Sequence, residues 1–494
     1  MIALTLAEVA SAVGGVLHSA AGTETVTGGV EFDSRLVEPG DLFVAVPGER
    51  VDGHDYAAAA VQAGAVGVLA GRPVGVASVL APRPAAGSRS ACYALAADTD
   101  GAGAAVLVAL SALARTVVRT LSKGGLQVVG LTGSSGKTST KDMVAALLAP
   151  LGRTVAPPGS FNNEIGHPWT ALRADATTRH LVLELSARGP GQIAALCQVA
   201  PPSIGVVLNV GSAHLGEFGS RDAVASAKGE LVEALPAAGI AVLNSDDPVV
   251  AAMDRRTAAR VVRFGLSPSA HVRATELAPD GRGCFSFRLV TPIGEAKVQL
   301  TVPGEHQVSN GLAAAAVAVE LGATPAGVAA VLERYRPASR WRMEVTDRPD
   351  GVTVVNDAYN ANPESVAAAL RALVAMAGTG RRSWAVLGPL AELGETTAQA
   401  YRTIGALAAS LGVDHLVVVG EQARPLCSTA AGSAPVLVAD VAAALELLHG
   451  ELAAGDVVLI KASRTAGLER IAEGLLGAVA QAGCPINADQ WSNR

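Results

Sequence analysis

The chain has 494 residues, too many for one hydrophobic core, and its length corresponds to about three domains. Half of it is hydrophobic, 17% is charged and 3% is aromatic, a composition that excludes an intrinsically disordered protein. A net charge of −6 argues against a protein that coats nucleic acid, but leaves room for a local basic pocket facing an anionic small molecule. The five cysteines (Cys92, Cys197, Cys284, Cys427, Cys484) are scattered without a CxxC pair, so neither a disulfide framework nor a zinc site is expected. A reducing, cytoplasmic setting follows. The N-terminus has no basic run before an apolar core, and no uncharged apolar stretch is both long enough and free of Gly/Pro breaks to read as a membrane span.

The first block, expected over 1–122, carries candidate strands Leu42–Val46 and Val66–Ala70 around a helix at 55–63. Its polar loops hold Asp33-Ser34-Arg35 and Asp52-Gly53-His54, one arginine and several donors suited to an anionic ligand or to turns around a small sheet. Residues 71–104, rich in Pro, Gly, Ala and Ser, read as a loose connection.

The second block, expected over 123–337, opens with the most informative run of the chain. An apolar strand around Val128, Val129 and Leu131 leads into Thr132-Gly133-Ser134-Ser135-Gly136-Lys137-Thr138-Ser139, and an apolar-periodic helix follows. Small residues let backbone N–H groups close on phosphate oxygens, and the helix N-terminus adds its positive end. Lys137 is placed for the terminal phosphates and the Thr138 hydroxyl for Mg²⁺. The usual P-loop spacing is not met, because Leu131 stands where the first glycine belongs.

Apolar runs Leu181–Leu185, Ile204–Val210 and Ile240–Asn244 continue a parallel sheet covered on both faces. Polar groups gather at their ends, where such sheets place ligands. Asn162-Asn163-Glu164 forms a polar loop. Glu184 at a strand end is a metal ligand or one half of a buried salt bridge. His214 follows the next strand; by spacing alone a lone histidine is more often structural. Lys228 lies in a helix at about 221–235 and by itself reads as a solvated lysine. After the break at Arg334–Ser339, the third block, expected over 338–494, repeats the theme with Val352–Asn356, Trp384–Gly388, His415–Gly420 and Asp456–Lys461.

The shortened nucleotide loop resembles that of the Mur ligases and folylpolyglutamate synthetases. The resemblance to the Mur ligases extends from Asp33 to Ile471 through Ala227-Lys228-Gly229-Glu230, Gly304-Glu305-His306-Gln307-Val308-Ser309-Asn310 and Asn356-Asp357-Ala358-Tyr359-Asn360-Ala361-Asn362-Pro363. It implies an α/β chain of three domains: a central P-loop ATPase domain with a parallel sheet, an N-terminal α/β domain for a UDP-linked substrate, and a C-terminal Rossmann-like domain. It also implies ATP and Mg²⁺ as cofactors, with Thr138, Glu184, His214 and a carbamylated Lys228 around the metal.

By the same resemblance, Asn163, Asn310, Arg340 and Asp357 join the loop in holding ATP, Arg340 at the γ-phosphate and Asp357 at the ribose. Asp33, Ser34, Arg35, Asp52, His54, Asn360 and Lys461 are then expected at the substrates. The closest pattern is that of the last ligase of the series, which joins UDP-N-acetylmuramoyl tripeptide to D-alanyl-D-alanine through an acyl phosphate. Small-molecule substrates, no nucleic acid, no membrane insertion and a monomeric state are expected. Ser186, Pro389-Leu390 and Tyr401 depart from the family pattern, and leave as the alternative a paralogue that joins another acid and amine in a specialised peptide pathway.

Overall fold

The structure is a computed structural model that describes residues 1–48, 51–83, 95, 98, 100–211, 215–391, 393–394, 397–428 and 434–477. Three main sheets follow one another along the chain. The first has five strands in the order Val16–His18, Ser78–Leu80, Gly67–Ala70, Leu42–Val44 and Val30–Glu31, parallel except for Val16–His18. The strand Ser78–Leu80 lies inside the stretch expected to be a loose connection. Its only apolar signal is the short Val79-Leu80 pair between proline- and glycine-rich flanks, too little for periodicity to register.

The helix Ala102–Lys123 is long and apolar enough to cross a membrane by length and composition alone, but Gly103, Arg115 and Arg119 interrupt it, so it is not the uncharged, unbroken stretch that the sequence was expected to lack. Its apolar side is buried within the protein instead: Leu110, Leu113, Val117 and Val118 pack into a core shared with Leu172, Leu181 and Leu196 of the second block.

The nine-stranded second sheet is parallel over Thr154–Val155, His180–Glu184, Gln127–Thr132, Ile204–Val207, Ile240–Asn244, Arg260–Gly265 and Val272–Pro279. It ends in antiparallel strands Cys284–Thr291 and Gly294–Pro303. Gln127–Thr132 lies between His180–Glu184 and Ile204–Val207, so the chain leaves it to one side and later returns on the other. That reversal opens a crevice at the carboxyl ends of these strands. The helix Lys137–Leu148 starts there, and its Met143, Val144, Leu147 and Leu148 are buried against the sheet. Burying each such side chain contributes roughly 1.5–3 kcal/mol.

The third sheet has six strands in the order Glu344–Asp347, Thr353–Asn356, Val457–Lys461, Ser383–Leu387, His415–Val419 and Val436–Val438, with only the first antiparallel. The last strand in sequence, Val457–Lys461, inserts between earlier ones and brings Lys461 beside Asp357.

One apolar cluster spans the second and third sheets, from Leu131 and Leu300 to Leu373 and Met376. Two glycines let these blocks approach closely. Gly283 (φ +73°) would place a Cβ 2.9 Å from Met376 Cγ, and Gly304 (φ +106°) one 3.2 Å from Ala372 Cβ.

Candidate active site

The sheet ends and the nucleotide loop enclose a cavity of about 320 Å³, within the size range of small-molecule sites. Its lining includes Ser134–Ser139, Asn162–Glu164, Glu184, Asn310, Asp357, Asn360 and Lys461 from the second and third blocks.

The loop is shaped by its neighbours. Gly136 has φ +80°, and a Cβ there would lie 2.5 Å from Asn310 Oδ1, so the position requires glycine for two reasons. Asn310 accepts from the Thr140 hydroxyl at 3.2 Å and donates to Gln307 Oε1 at 3.0 Å. The Ser134 and Ser135 amides, expected to face phosphate, donate to Asn209 Oδ1 at 3.0 and 2.9 Å. Asn209 also donates back to the Ser135 carbonyl at 3.1 Å. It therefore holds the loop in shape, a role signalled in sequence only by a polar residue following an apolar strand. The first turn of the Lys137–Leu148 helix has no side-chain cap, so its N-terminal amides present the anion-binding end. Lys137 Nζ donates to the Gly133 carbonyl at 2.9 Å, curled back over the loop.

Glu184 is buried and fully engaged. Oε2 accepts from the Thr138 hydroxyl at 3.0 Å, and Oε1 accepts from Ser160 Oγ at 2.9 Å and Asn162 Nδ2 at 2.7 Å. Ser186, the departure from the family pattern, donates to Asn162 Oδ1 at 3.0 Å and so steadies that donor. Neutral hydroxyl and amide groups thus satisfy the carboxylate, and no cation among the described residues pairs with it within ion-pair distance. A buried carboxylate beside a threonine hydroxyl at a phosphate-type loop suits Mg²⁺, which takes one or two protein oxygens and draws the rest from substrate and water. His214 lies outside the described residues.

Lys228 is buried in the helix Arg221–Glu233, and desolvation, with a further contribution from the Lys137 charge, pushes its ammonium well below the ordinary lysine value. It is not among the residues that line the cavity.

The third block closes over the loop. Asn362 caps the helix Pro363–Ala377 by accepting from the Ser365 amide at 2.9 Å, and its Nδ2 donates to the Ser134 carbonyl at 3.2 Å. Lys461 and Asp357 are paired at 2.6 Å, and Lys461 also donates to the Asn360 carbonyl at 2.8 Å. The Tyr401 hydroxyl accepts from the Leu390 amide at 2.9 Å, and the Pro389 carbonyl accepts from the Ser463 amide at 2.8 Å, fixing the loop beside Ala391. His306, missed as a site residue although its run was noted, lines the cavity beside Asp357 and Lys461. Burial lowers its pKa to about 4, which keeps the imidazole neutral.

One expectation changes. Arg340 does not enter the cavity: it is 69% exposed and faces Glu473 at 3.8 Å. The arginine in the cavity is Arg342, which donates to Thr138 Oγ1 at 3.2 Å and stacks 4.1 Å above the Tyr359 ring. Left-handed backbone at Trp341 (φ +58°) and Met343 (φ +51°) turns the chain on either side of it. Such strain in non-glycine residues costs of order 1–3 kcal/mol each and clusters at functional sites.

The first-block residues also stay apart from the cavity. Asp33 and Arg35 pair with each other at 2.6 Å, beside Ser34, on the surface. His54 is buried, with Nδ1 2.6 Å from Asp52 Oδ1 and Nε2 accepting from the Gly71 amide at 3.0 Å. Asp52 also receives Arg72 at 3.0 Å. Both ring nitrogens of His54 are therefore used in holding the loop to the sheet.

Comparisons agree with this architecture. Residues 131–318 match the family model of the Mur ligase middle domain, 341–464 that of the Mur ligase glutamate ligase domain, and 27–94 that of the Mur ligase family catalytic domain. The chain is 52% identical to the UDP-N-acetylmuramoyl-tripeptide--D-alanyl-D-alanine ligase of Mycobacterium tuberculosis, over 96% of this chain and 98% of that one. A crystal structure of MurF from Acinetobacter baumannii superposes with a TM-score of 0.83 at 28% identity, covering 96% of this chain and 99% of that one. MurF from Thermotoga maritima, solved in complex with ADP, gives 0.76 at 30% identity over 92% and 98%.

Proposed function

The chain belongs to the Mur ligase family, and from that premise we propose that it joins UDP-N-acetylmuramoyl tripeptide to D-alanyl-D-alanine with ATP, in peptidoglycan precursor synthesis. The observation that carries this reading is the 52% identity to a ligase of that name across almost the whole chain, together with the joint cavity of the second and third blocks. The paralogue alternative rested on Ser186, Pro389-Leu390 and Tyr401. Ser186 and Tyr401 now have local structural roles, and nothing favours another acceptor.

The reaction begins when the tripeptide carboxylate attacks the γ-phosphorus of ATP, forming an acyl phosphate and releasing ADP. The amine of the dipeptide then adds to the acyl carbon and expels phosphate, and a proton leaves with the new amide. Lys137 and Arg342 neutralise charge that spreads over the transferring phosphoryl oxygens, which is catalysis by placed charge. Asn310, Asn163 and Asp357 hold the nucleotide, and Asn360 and Lys461 face the incoming substrate. When bound, Mg²⁺ would supply charge neutralisation at the phosphates, and Thr138, Glu184, His214 and Lys228 are the residues that would hold it. The bond from Asn362 to the Ser134 carbonyl ties the third block to the loop, an arrangement suited to shielding the acyl phosphate from water.

Lys228 carries a carbamate in this reading: its neutral amine adds to CO₂ with loss of one proton, leaving an anion that could help to hold the metal. Burial that disfavours the ammonium supports this, because only the free amine reacts. Three domains, 1–122, 123–337 and 338–494, fit the reading, since each holds the strands of one main sheet. The enzyme acts as a monomer in the cytoplasm on small-molecule substrates. Purified protein supplied with ATP, Mg²⁺, UDP-N-acetylmuramoyl tripeptide and D-alanyl-D-alanine should release phosphate and yield the pentapeptide product by mass. Absence of that product, with turnover of another amine, would overturn the assignment.

A further inference from the structure

Thr138, Lys141 and Asp142 lie on one face of the nucleotide-loop helix, at i, i+3 and i+4. Lys141 is almost fully buried, at 1% exposure, yet it is none of the cavity-lining residues. Its ammonium is 2.5 Å from Asp142 Oδ1 and donates to the Pro157 and Gly159 carbonyls at 2.7 and 3.0 Å. A fourth, longer contact reaches Ser339 Oγ at 3.3 Å. Asp142 Oδ2 accepts from the Ser339 amide at 3.0 Å.

These contacts join three pieces of chain: the nucleotide-loop helix, the loop at Pro157 and Gly159, and the linker at Ser339. Pro157 and Gly159 lead into Ser160 and Asn162, the donors that orient Glu184. Ser339 stands three residues before Arg342, and Arg342 contacts Thr138 on the same helix. The linker is thus gripped at two adjacent turns, Ser339 at Asp142 and Arg342 at Thr138. Between the two grips lies the left-handed residue Trp341, whose strained turn needs outside restraint to persist.

We propose that Lys141 is a positioning residue for phosphoryl transfer: with Asp142 it locks the linker at Ser339 so that Arg342 points at the nucleotide loop. This inference rests on the ATP-dependent ligation proposed above. A buried ion pair that serves stability alone is the rival, and the two differ in how they couple to Arg342.

The test compares wild type, Lys141→Met, Arg342→Ala and the double variant in phosphate release. Lys141→Met is expected to lower kcat about 10- to 100-fold, with KM for ATP within about three-fold. In the Arg342→Ala background the same substitution should cost less than about three-fold. Equal losses in both backgrounds, or an undiminished kcat, overturn the proposal.

Asp142→Asn preserves side-chain volume and serves where Lys141→Met fails to fold; a smaller loss with the same non-additivity is expected. Tryptic cleavage after the exposed Arg340 reads the linker independently of any ligase activity. Both variants should raise its rate about ten-fold under native conditions. An unchanged rate overturns the proposal, whereas a wild type that makes no pentapeptide bears only on the functional reading.

Discussion

The nucleotide loop and the first-block loops are both built of small, polar and charged residues, and the fold arranges them differently. Around Gly136 the polar groups converge on a cavity, held by Asn209 and Asn310 from other elements. Around His54 and Asp33 they bond to one another, apart from that cavity. Whether a polar group serves a ligand depends on which partners the tertiary structure leaves within reach, and spacing alone does not report that.

The sharpest way to break this contrast is Lys137→Ala. It should lower ligation by about 1,000-fold or more with the fold intact, checked by phosphate release and circular dichroism. Lys228→Ala comes next, with a loss of about 100-fold that short carboxylic acids partly restore by standing in for the carbamate. A fully active, unrescuable alanine variant would remove the modification from the mechanism.

Arg342→Ala should cost roughly 10- to 100-fold in kcat, while Arg340→Ala stays within about two-fold, because only Arg342 meets the loop. The reverse pattern would restore the sequence expectation. The smallest effect is expected at His54→Ala, which leaves Asp52 and the Gly71 amide short of a partner. A loss of about 1–3 kcal/mol of stability should appear as a melting temperature lower by a few degrees, with kcat unchanged.

The central loop was legible because its glycines and lysine stand at a spacing that only a strand-to-helix turn accommodates. Glu184 was legible because a carboxylate at the end of an apolar strand needs a reason to be there. The parallel strands were legible from unbroken apolar runs, and most differ from expectation by one to three residues at an end.

The Arg340-Trp341-Arg342 run was not legible in the same way. Two arginines one residue apart have equal claims until the backbone turns, and nothing in Trp341 or Met343 announces a left-handed conformation. The His54 clamp was hidden for a related reason, since its partner Gly71 is 17 residues away and contributes only a backbone amide. His306 lay in plain sight within a noted run, but burial, invisible in the sequence, is what sets its charge.

The apolar cluster shared by the second and third sheets gives the relative movement of these blocks a calorimetric character. Separating them would wet Met376 and Ala372 where they press on Gly283 and Gly304. Bringing them together releases hydration water, so closure carries a negative heat-capacity change and draws its drive from solvent entropy near room temperature. Nucleotide titrations at several temperatures therefore report more than contacts in the pocket. The slope of binding enthalpy against temperature would count any apolar surface that the third block buries on binding.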